Sequence, residues 1–383
     1  MNLTYIIGNG FDLALGLRTS YRDFLECYLC EKHTNCDPPS VSRLKRMIRK
    51  NIKSWGDAER EFGRLDYLEF GDGTVLASYA VSAYEHFRAN LNKYIRRRER
   101  QFPQTVSAMT CSSFRRALLS LHTGLIDANV RNEILGDAVS VHVNFINFNY
   151  TETLERLIGV VPDVLTMEIG KKKVGVYFYK PLHVHGEVCH GDVSHPMDVA
   201  IVFGVGDTSQ LSGLSYEGHE MEFEQIRSFL EKKDKRAAQT EGNVVANALK
   251  VLNESDCIVL FGVSLGVTDC FWWSAIFETL LDRPTAKLVF SPFHDNVPDC
   301  DIKAFEEEER RYVMGRLVDG MSDVIKSSAY EALRKRCERI HIVGPGPHRD
   351  FDGNARFYDP LHLTWFKEHL SEYLSSQREE VYQ

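Results

Sequence analysis

Leu3-Thr4-Tyr5-Ile6-Ile7-Gly8-Asn9-Gly10-Phe11-Asp12 is the stretch that decides the fold. Five residues of mostly β-branched and aromatic character stop at Gly8, and a helix-like pattern begins near Asp12, so the chain opens as strand, tight turn, helix. Nucleotide-binding α/β domains open in this way. Glycines let the backbone turn sharply and approach a phosphate, and a helix N-terminus offers unpaired N–H groups and the positive end of a dipole. The next glycine, Gly16, is not at the dinucleotide-fingerprint spacing, and a plain strand-to-helix turn capped by Asp12 accounts for the same residues.

Outward from this turn, residues 20–138 read as helical. Leu76, Tyr79, Ala83, Phe87, Leu91 and Tyr94, then Phe114, Leu118, Leu121, Leu125 and Ile126, recur at three- and four-residue spacing. Strand patterns return at 139–147, 174–185 and 199–203. A polar helical stretch at 217–252 is followed by short buried strands at 257–261, 286–290 and 339–343. Strands alternating with helices predict a mostly parallel sheet covered on both faces, an α/β, Rossmann-like fold. The expected organisation is a core from 1–19 and 139–345, a large helical insertion at 20–138, a smaller one at 210–255 and a C-terminal helical extension at 346–383.

Composition narrows the classes further. A chain of 383 residues is about two and a half times a ~150-residue domain and buries its own core without staples. With 46 Lys and Arg against 54 Asp and Glu, the net charge of -8 gives no whole-molecule footprint for nucleic acid or anionic membrane. The start lacks a basic, apolar secretory signal and no long apolar run follows, so a cytoplasmic protein without a membrane span is expected. Nine scattered cysteines read as free thiols.

Three further segments could carry chemistry. Asn147-Phe148-Asn149-Tyr150-Thr151 ends a buried strand, where a carboxamide can point into a ligand crevice or merely make a turn or cap. In Pro181-Leu182-His183-Val184-His185-Gly186 strand periodicity sends His183 and His185 to one face. Cys189, His190 and His195 follow closely, so a metal site competes with a proton-transfer role, and His183 also fits a core histidine satisfied by a carbonyl. Gly262-Val263-Ser264-Leu265-Gly266-Val267-Thr268-Asp269 is a second strand-to-helix turn, whose hydroxyl and carboxylate suit ribose hydroxyls or a helix cap. Cys27, Cys30, His33 and Cys36 recur every three residues, unlike a zinc knuckle, and the first two fall on a helix starting near Tyr21.

Taken in order, these segments resemble the AbiH family of bacterial abortive-infection proteins. The resemblance rests on Ile6 to Ala14, Gly16-Leu17, Thr19-Ser20-Tyr21, Phe24, Trp55-x-Asp57-x-Glu59, Asn147 to Thr151, His183 to Gly186, Phe203-Gly204 and Gly262 to Asp269. That family's motifs are similar, more distantly, to sirtuin-like NAD-consuming domains of antiphage defence. The resemblance implies a cofactor-binding set of Gly8, Asn9, Gly10, Phe11, Asp12, Gly262, Ser264, Leu265 and Asp269, with Asn149 and His185 catalytic and no metal. Asp12 stands where sirtuins place Ser, and Thr151 where they place an acid.

The implied activity is an NAD glycohydrolase-like effector that binds NAD or a related nucleotide and hydrolyses the nicotinamide–ribose bond, with Asn149 orienting water or ribose and His185 accepting a proton. Two alternatives stay open: a non-catalytic nucleotide-binding sensor of a defence system, and a metal-dependent phosphoesterase or nuclease built on residues 183–195. The implied partners are a nucleotide, a phage trigger and a second copy of the chain, with neither membrane nor general nucleic-acid binding.

Overall fold

In the computed structural model, β1 (Asn2–Ile7) lies at the centre of an eight-stranded sheet, which is why every residue from Leu3 to Ile7 is buried. Both its edges are paired and both its faces covered, and such a strand must be apolar throughout. The structure describes residues 1–30, 37–64, 77–119, 138–161, 164–169, 172–188, 201–212, 220–232, 239–240, 243–292, 302–343, 348–349 and 355–356. The other strands are β2 (Ser140–Asn147), β3 (Leu165–Ile169), β4 (Lys172–Phe178), β5 (Leu182–His183), β6 (Cys257–Phe261), β7 (Lys287–Ser291) and β8 (Ile340–Ile342). They lie in the order β3-β4-β2-β1-β6-β7-β8, with β5 paired to the end of β2. All pairings are parallel except that of the edge strand β3 with β4.

Setting aside the two-residue β5, the parallel strands numbered in chain order lie 3-2-1-4-5-6. The chain moves outward from β1 on one side, then crosses back to β6 on the other. The loops after β1 and β6 therefore leave adjacent strands in opposite directions, opening a crevice beyond their C-terminal ends. One sheet face carries Ile6, Ile146, Ile258, Leu260 and Leu288, covered by apolar residues of the helices Val244–Asn253, Cys270–Asp282, Ile302–Val318 and Asp323–Arg334. The other carries Tyr5, Val143, Phe145 and Val259 against Phe114, Leu118, Leu154 and Leu157 of the helices Ala108–Leu119 and Thr153–Ile158.

A separate core holds the helices Tyr21–Cys30, Pro39–Lys50, Ala58–Gly63 and Ala77–Glu99. Its centre is aromatic: Phe62 meets Phe87 at 4.7 Å and Phe203 at 5.4 Å between ring centroids. Edge-to-face contacts of this kind add about 0.5–1.5 kcal/mol each beyond burial.

Two expectations need correction, and the helical stretch after them holds. No strand forms at 201–203, the described part of the strand expected over 199–203. Val202 makes one backbone link, N–H to the His185 carbonyl at 2.7 Å, and Ile201 and Phe203 alternate inward because they pack on the helical core. The strand expected over 174–185 is broken into β4 and β5 around Pro181, which has no N–H to donate. The polar stretch 217–252 contains two helices, Glu220–Leu230 and Val244–Asn253, the second capped by Asn243 Oδ1 accepting from Val245 N–H at 2.9 Å. Leu76, Leu121, Leu125, Ile126, His33, Cys36, Cys189, His190 and His195 lie outside the described residues, as does most of 346–383, where His348–Arg349 and Ala355–Arg356 pair antiparallel.

Candidate functional site

The two glycine-rich turns meet. Gly8 N–H donates to the Phe261 carbonyl at 2.9 Å and Gly10 N–H to the Gly262 carbonyl at 2.8 Å. A Cβ on Gly8 would lie 2.5 Å from Gly262 O, and one on Gly10 2.5 Å from Gly262 Cα. Gly262 adopts φ +67°, a left-handed conformation that costs other residues about 1–2 kcal/mol. These glycines are therefore required by the approach of one turn to the other, and the Gly8 and Gly10 amides are already spent on that contact. The helix after the first turn, Gly10–Ala14, is a single turn, so its dipole contributes little.

Beyond the strand ends lies a cleft of about 810 Å³, within the usual size range of small-molecule sites. Gly8, Asn9, Gly10, Asp12, Asn149, His185, Gly262, Ser264 and Asp269 all line it. Phe11 and Leu265 do not: both are fully buried, Phe11 against Phe114 and Phe261, Leu265 in the opposite core with φ 51°. Asn9 is tied to Thr19, accepting its hydroxyl at 2.7 Å.

Asp12 is not a cap. Its carboxylate accepts from Thr151 Oγ1 at 2.7 Å and Thr153 Oγ1 at 2.6 Å, pinning the turn after β1 to the turn after β2. Burial pushes Asp12 up to about 6 despite those two bonds, with Glu99 and Glu155 adding to the rise.

The two asparagines at the end of β2 divide the expected roles. Asn147 makes the turn, its Oδ1 accepting from Asn149 N–H at 3.0 Å. Asn149 is 3% exposed, and neither atom of its carboxamide has a partner among the described residues. A buried amide without hydrogen bonds costs about 1–3 kcal/mol, a cost that a ligand in the cleft can remove.

The histidines also separate, because β5 ends at His183 and the chain turns at Gly186, φ +75°. His183 Nδ1 donates to the Asn149 carbonyl at 3.0 Å, and its Nε2 meets Glu155 Oε1 at 2.7 Å. Burial opposes a charge there, but Glu155 and the carbonyl outweigh it and raise His183 above its ordinary 6.5. It braces the backbone of Asn149. His185 instead reaches the cleft, its Nε2 3.2 Å from Asp269 Oδ1 and its ring 4.7 Å from that of Phe148.

Asp269 occupies the N-cap position of the helix Cys270–Asp282 but makes no capping bond. Its Oδ1 accepts from Lys232 Nζ at 2.8 Å, and the same ammonium donates to Glu59 Oε2 at 2.8 Å. Thr268 Oγ1 adds a 3.1 Å bond to Glu59. The Lys232 side chain is fully buried. Burial alone would raise Asp269, but Lys232 and then His185 hold it well below the usual carboxylate range. Burial likewise opposes the Lys232 charge, and Asp269 and Glu59 hold its pKa well above the ordinary value. Glu59 is raised, burial outweighing the lysine.

Glu59 and Lys232 come from outside the sheet. Trp55 is buried against Phe62 at 5.3 Å, Asp57 caps the helix Ala58–Gly63 by accepting from Arg60 N–H at 3.2 Å, and Glu59 then projects from its first turn. Trp55-x-Asp57-x-Glu59 thus reads as anchor, cap and functional carboxylate. Nothing comparable marks Lys232, one of several cations in Glu231-Lys232-Lys233-Asp234-Lys235. Arg316 and Tyr312, also missed, line the cleft's far side, bonding the Leu265 carbonyl at 2.8 Å and the Ser264 carbonyl at 3.1 Å.

The lining holds five carboxylates (Asp12, Asp57, Glu59, Asp269 and Glu309) and one guanidinium, Arg316, itself paired to Asp319 at 2.7 Å. Among the described residues no group of three His, Cys, Asp or Glu is placed to hold a metal ion, and no helix is long and apolar enough to cross a membrane.

Fold and cleft together define an α/β protein with a mostly parallel sheet and a polar crevice at the strand C-termini. The sequence pattern of the family described as "Bacteriophage abortive infection AbiH" matches residues 4–291, and the chain belongs to that family. Its members are placed in phage defence by abortive infection. No curated protein matches the chain.

Proposed function

We propose that this protein is an abortive-infection effector that binds NAD or a closely related nucleotide in the cleft and hydrolyses its nicotinamide–ribose bond. The observation that carries this reading is Asn149, a buried, partnerless carboxamide in a cleft it shares with the His185–Asp269 pair. The strand order supports it too, being that of dinucleotide-binding sheets with the crevice at the reversal point. The two departures from the sirtuin-like pattern bond each other: Asp12 accepts from Thr151, so carboxylate and hydroxyl have exchanged places across one contact.

The acidic lining suits the charge that this reaction moves. A pyridinium ring is cationic, and positive charge develops at the ribose carbon as the bond breaks, so fixed carboxylates stabilise both. Asn149 orients water or a ribose hydroxyl through its amide. Asp269 holds His185 Nε2, which leaves Nδ1 as the nitrogen that takes a proton. Water oxygen bonds to the ribose carbon, the carbon–nitrogen electron pair goes to the ring nitrogen and neutralises it, and the proton leaves through His185. A general base contributes about 100- to 10,000-fold. Nicotinamide release by the wild type, reduced by that factor in His185→Ala and in Asn149→Ala, is the expected result; equal release by all three contradicts the reading.

A further inference from the structure

A second concavity, of about 430 Å³, shares a wall with the cleft and has the opposite charge. It is lined by Arg43, Arg46 and Lys50 of the helix Pro39–Lys50 and by Arg64, with Trp55 and Met47 among the apolar lining. The acid in its lining is Glu61, 3.5 Å from Arg64. We propose that this groove binds a phosphate-bearing ligand and acts as an effector site for the cleft.

Residues 43, 46 and 50 fall at i, i+3 and i+7, one face of one helix. A helix dipole favours cations in the last turn, which accounts for Lys50 but not for Arg43 and Arg46 in earlier turns, nor for Arg64 on another element. Cations outnumber carboxylates four to one in this lining, in a chain of net -8, and Arg46 and Lys50 are exposed there. Like charges gathered in a concavity repel one another, and an anion relieves that repulsion. Guanidinium groups match phosphate oxygens in pairs, which selects phosphate over a diffuse acidic surface.

The link to the cleft is covalent and short. Ser54, Trp55, Glu61 and Arg64 face the groove, whereas Gly56, Asp57 and Glu59 of the same segment face the cleft. An anion that draws in Arg64 and the Ser54 turn therefore acts on the helix that presents Glu59 to Lys232. Any such effect is reciprocal, and it holds whether or not the cleft cleaves NAD.

Calorimetric titration of the full chain with inorganic tripolyphosphate tests the site. The wild type should bind with an affinity that falls as salt rises. The double variant Arg46→Gln/Lys50→Gln, exposed positions whose loss should leave the unfolding midpoint in place, should bind at least about tenfold more weakly. Arg316→Gln in the cleft should bind as wild type. No binding by the wild type at millimolar ligand, equal binding by the double variant, or loss confined to Arg316→Gln overturns the site. Parallel titrations with ATP and with a short single-stranded oligonucleotide show whether the phosphate comes from a free nucleotide or a nucleic acid. Hydrogen exchange tests the effector role: tripolyphosphate should slow exchange across residues 57–63 in the wild type and not in the double variant, and unchanged exchange overturns it.

Discussion

The cleft has two halves held by different physics. On the sheet side, Gly8, Gly10 and Gly262 lock two turns by backbone contact, and Asn149 and His185 extend from strand ends whose register fixes them. On the helical side, Glu59 and Lys232 are 173 positions apart and meet only through a buried ion pair. The sheet half resists change because a Cβ has nowhere to go; the helical half depends on charge balance. Backbone packing sets where the reacting groups sit, and the ion network sets their electrostatics.

Charge balance should break first. Lys232→Met leaves Glu59 and Asp269 buried without their shared cation, and removing one partner of a buried pair typically costs about 3–5 kcal/mol. Urea unfolding should show that loss, and adding Glu59→Gln should recover part of it. Lys232→Met as stable as wild type would mean that the network gives no net support. On the sheet side, Gly262→Ala sets a Cβ 2.6 Å from Phe11 N at positive φ, and overpacking plus that conformation should cost about 2–4 kcal/mol. An unfolding midpoint within error of wild type would show that the turns can separate.

Also on the sheet side, Asp12 makes the stability depend on pH. Its folded pKa of about 6 lies above the ordinary 3.8, so between those values the folded protein binds a proton that the unfolded chain releases. Stability from this group is therefore fully present below about pH 3.8 and is lost as pH rises through 6, by about 3 kcal/mol in all. Asp12→Asn should flatten that part of the profile, and an unchanged slope from pH 4 to 6.5 would contradict burial as the cause. The smallest effect belongs to Thr151→Val, which removes one bond to Asp12 and should cost about 1–2 kcal/mol in the same unfolding assay.

What the sequence makes legible is local. The run Leu3 to Ile7, the glycine turn and the buried strands near 140, 257, 287 and 340 are patterns a few residues long, and they sit close to where periodicity puts them. The convergence of Asn149, His185 and Asp269 on one cleft follows once those strands are parallel. Residues 201–203 deceive because inward alternation on a helical core looks the same as alternation on a sheet. β3 escapes notice as a short edge strand that needs no strong apolar pattern. Lys232 is hidden for a different reason: no spacing encodes a partner 173 residues away, and the sequence carries no sign of its full burial. Phe11 and Leu265 show the converse limit, since lying within a site motif does not turn a side chain toward the site.

The most direct test is a structure of the protein with a non-hydrolysable carbocyclic analogue of NAD. The ring at the position of the ribose should lie within hydrogen-bonding distance of the Asn149 carboxamide, with its C1 facing His185 and the diphosphate on the Ser264 side. A dinucleotide bound away from Asn149, or an analogue that does not enter the cleft, would contradict the assignment of this crevice as the site of nicotinamide release.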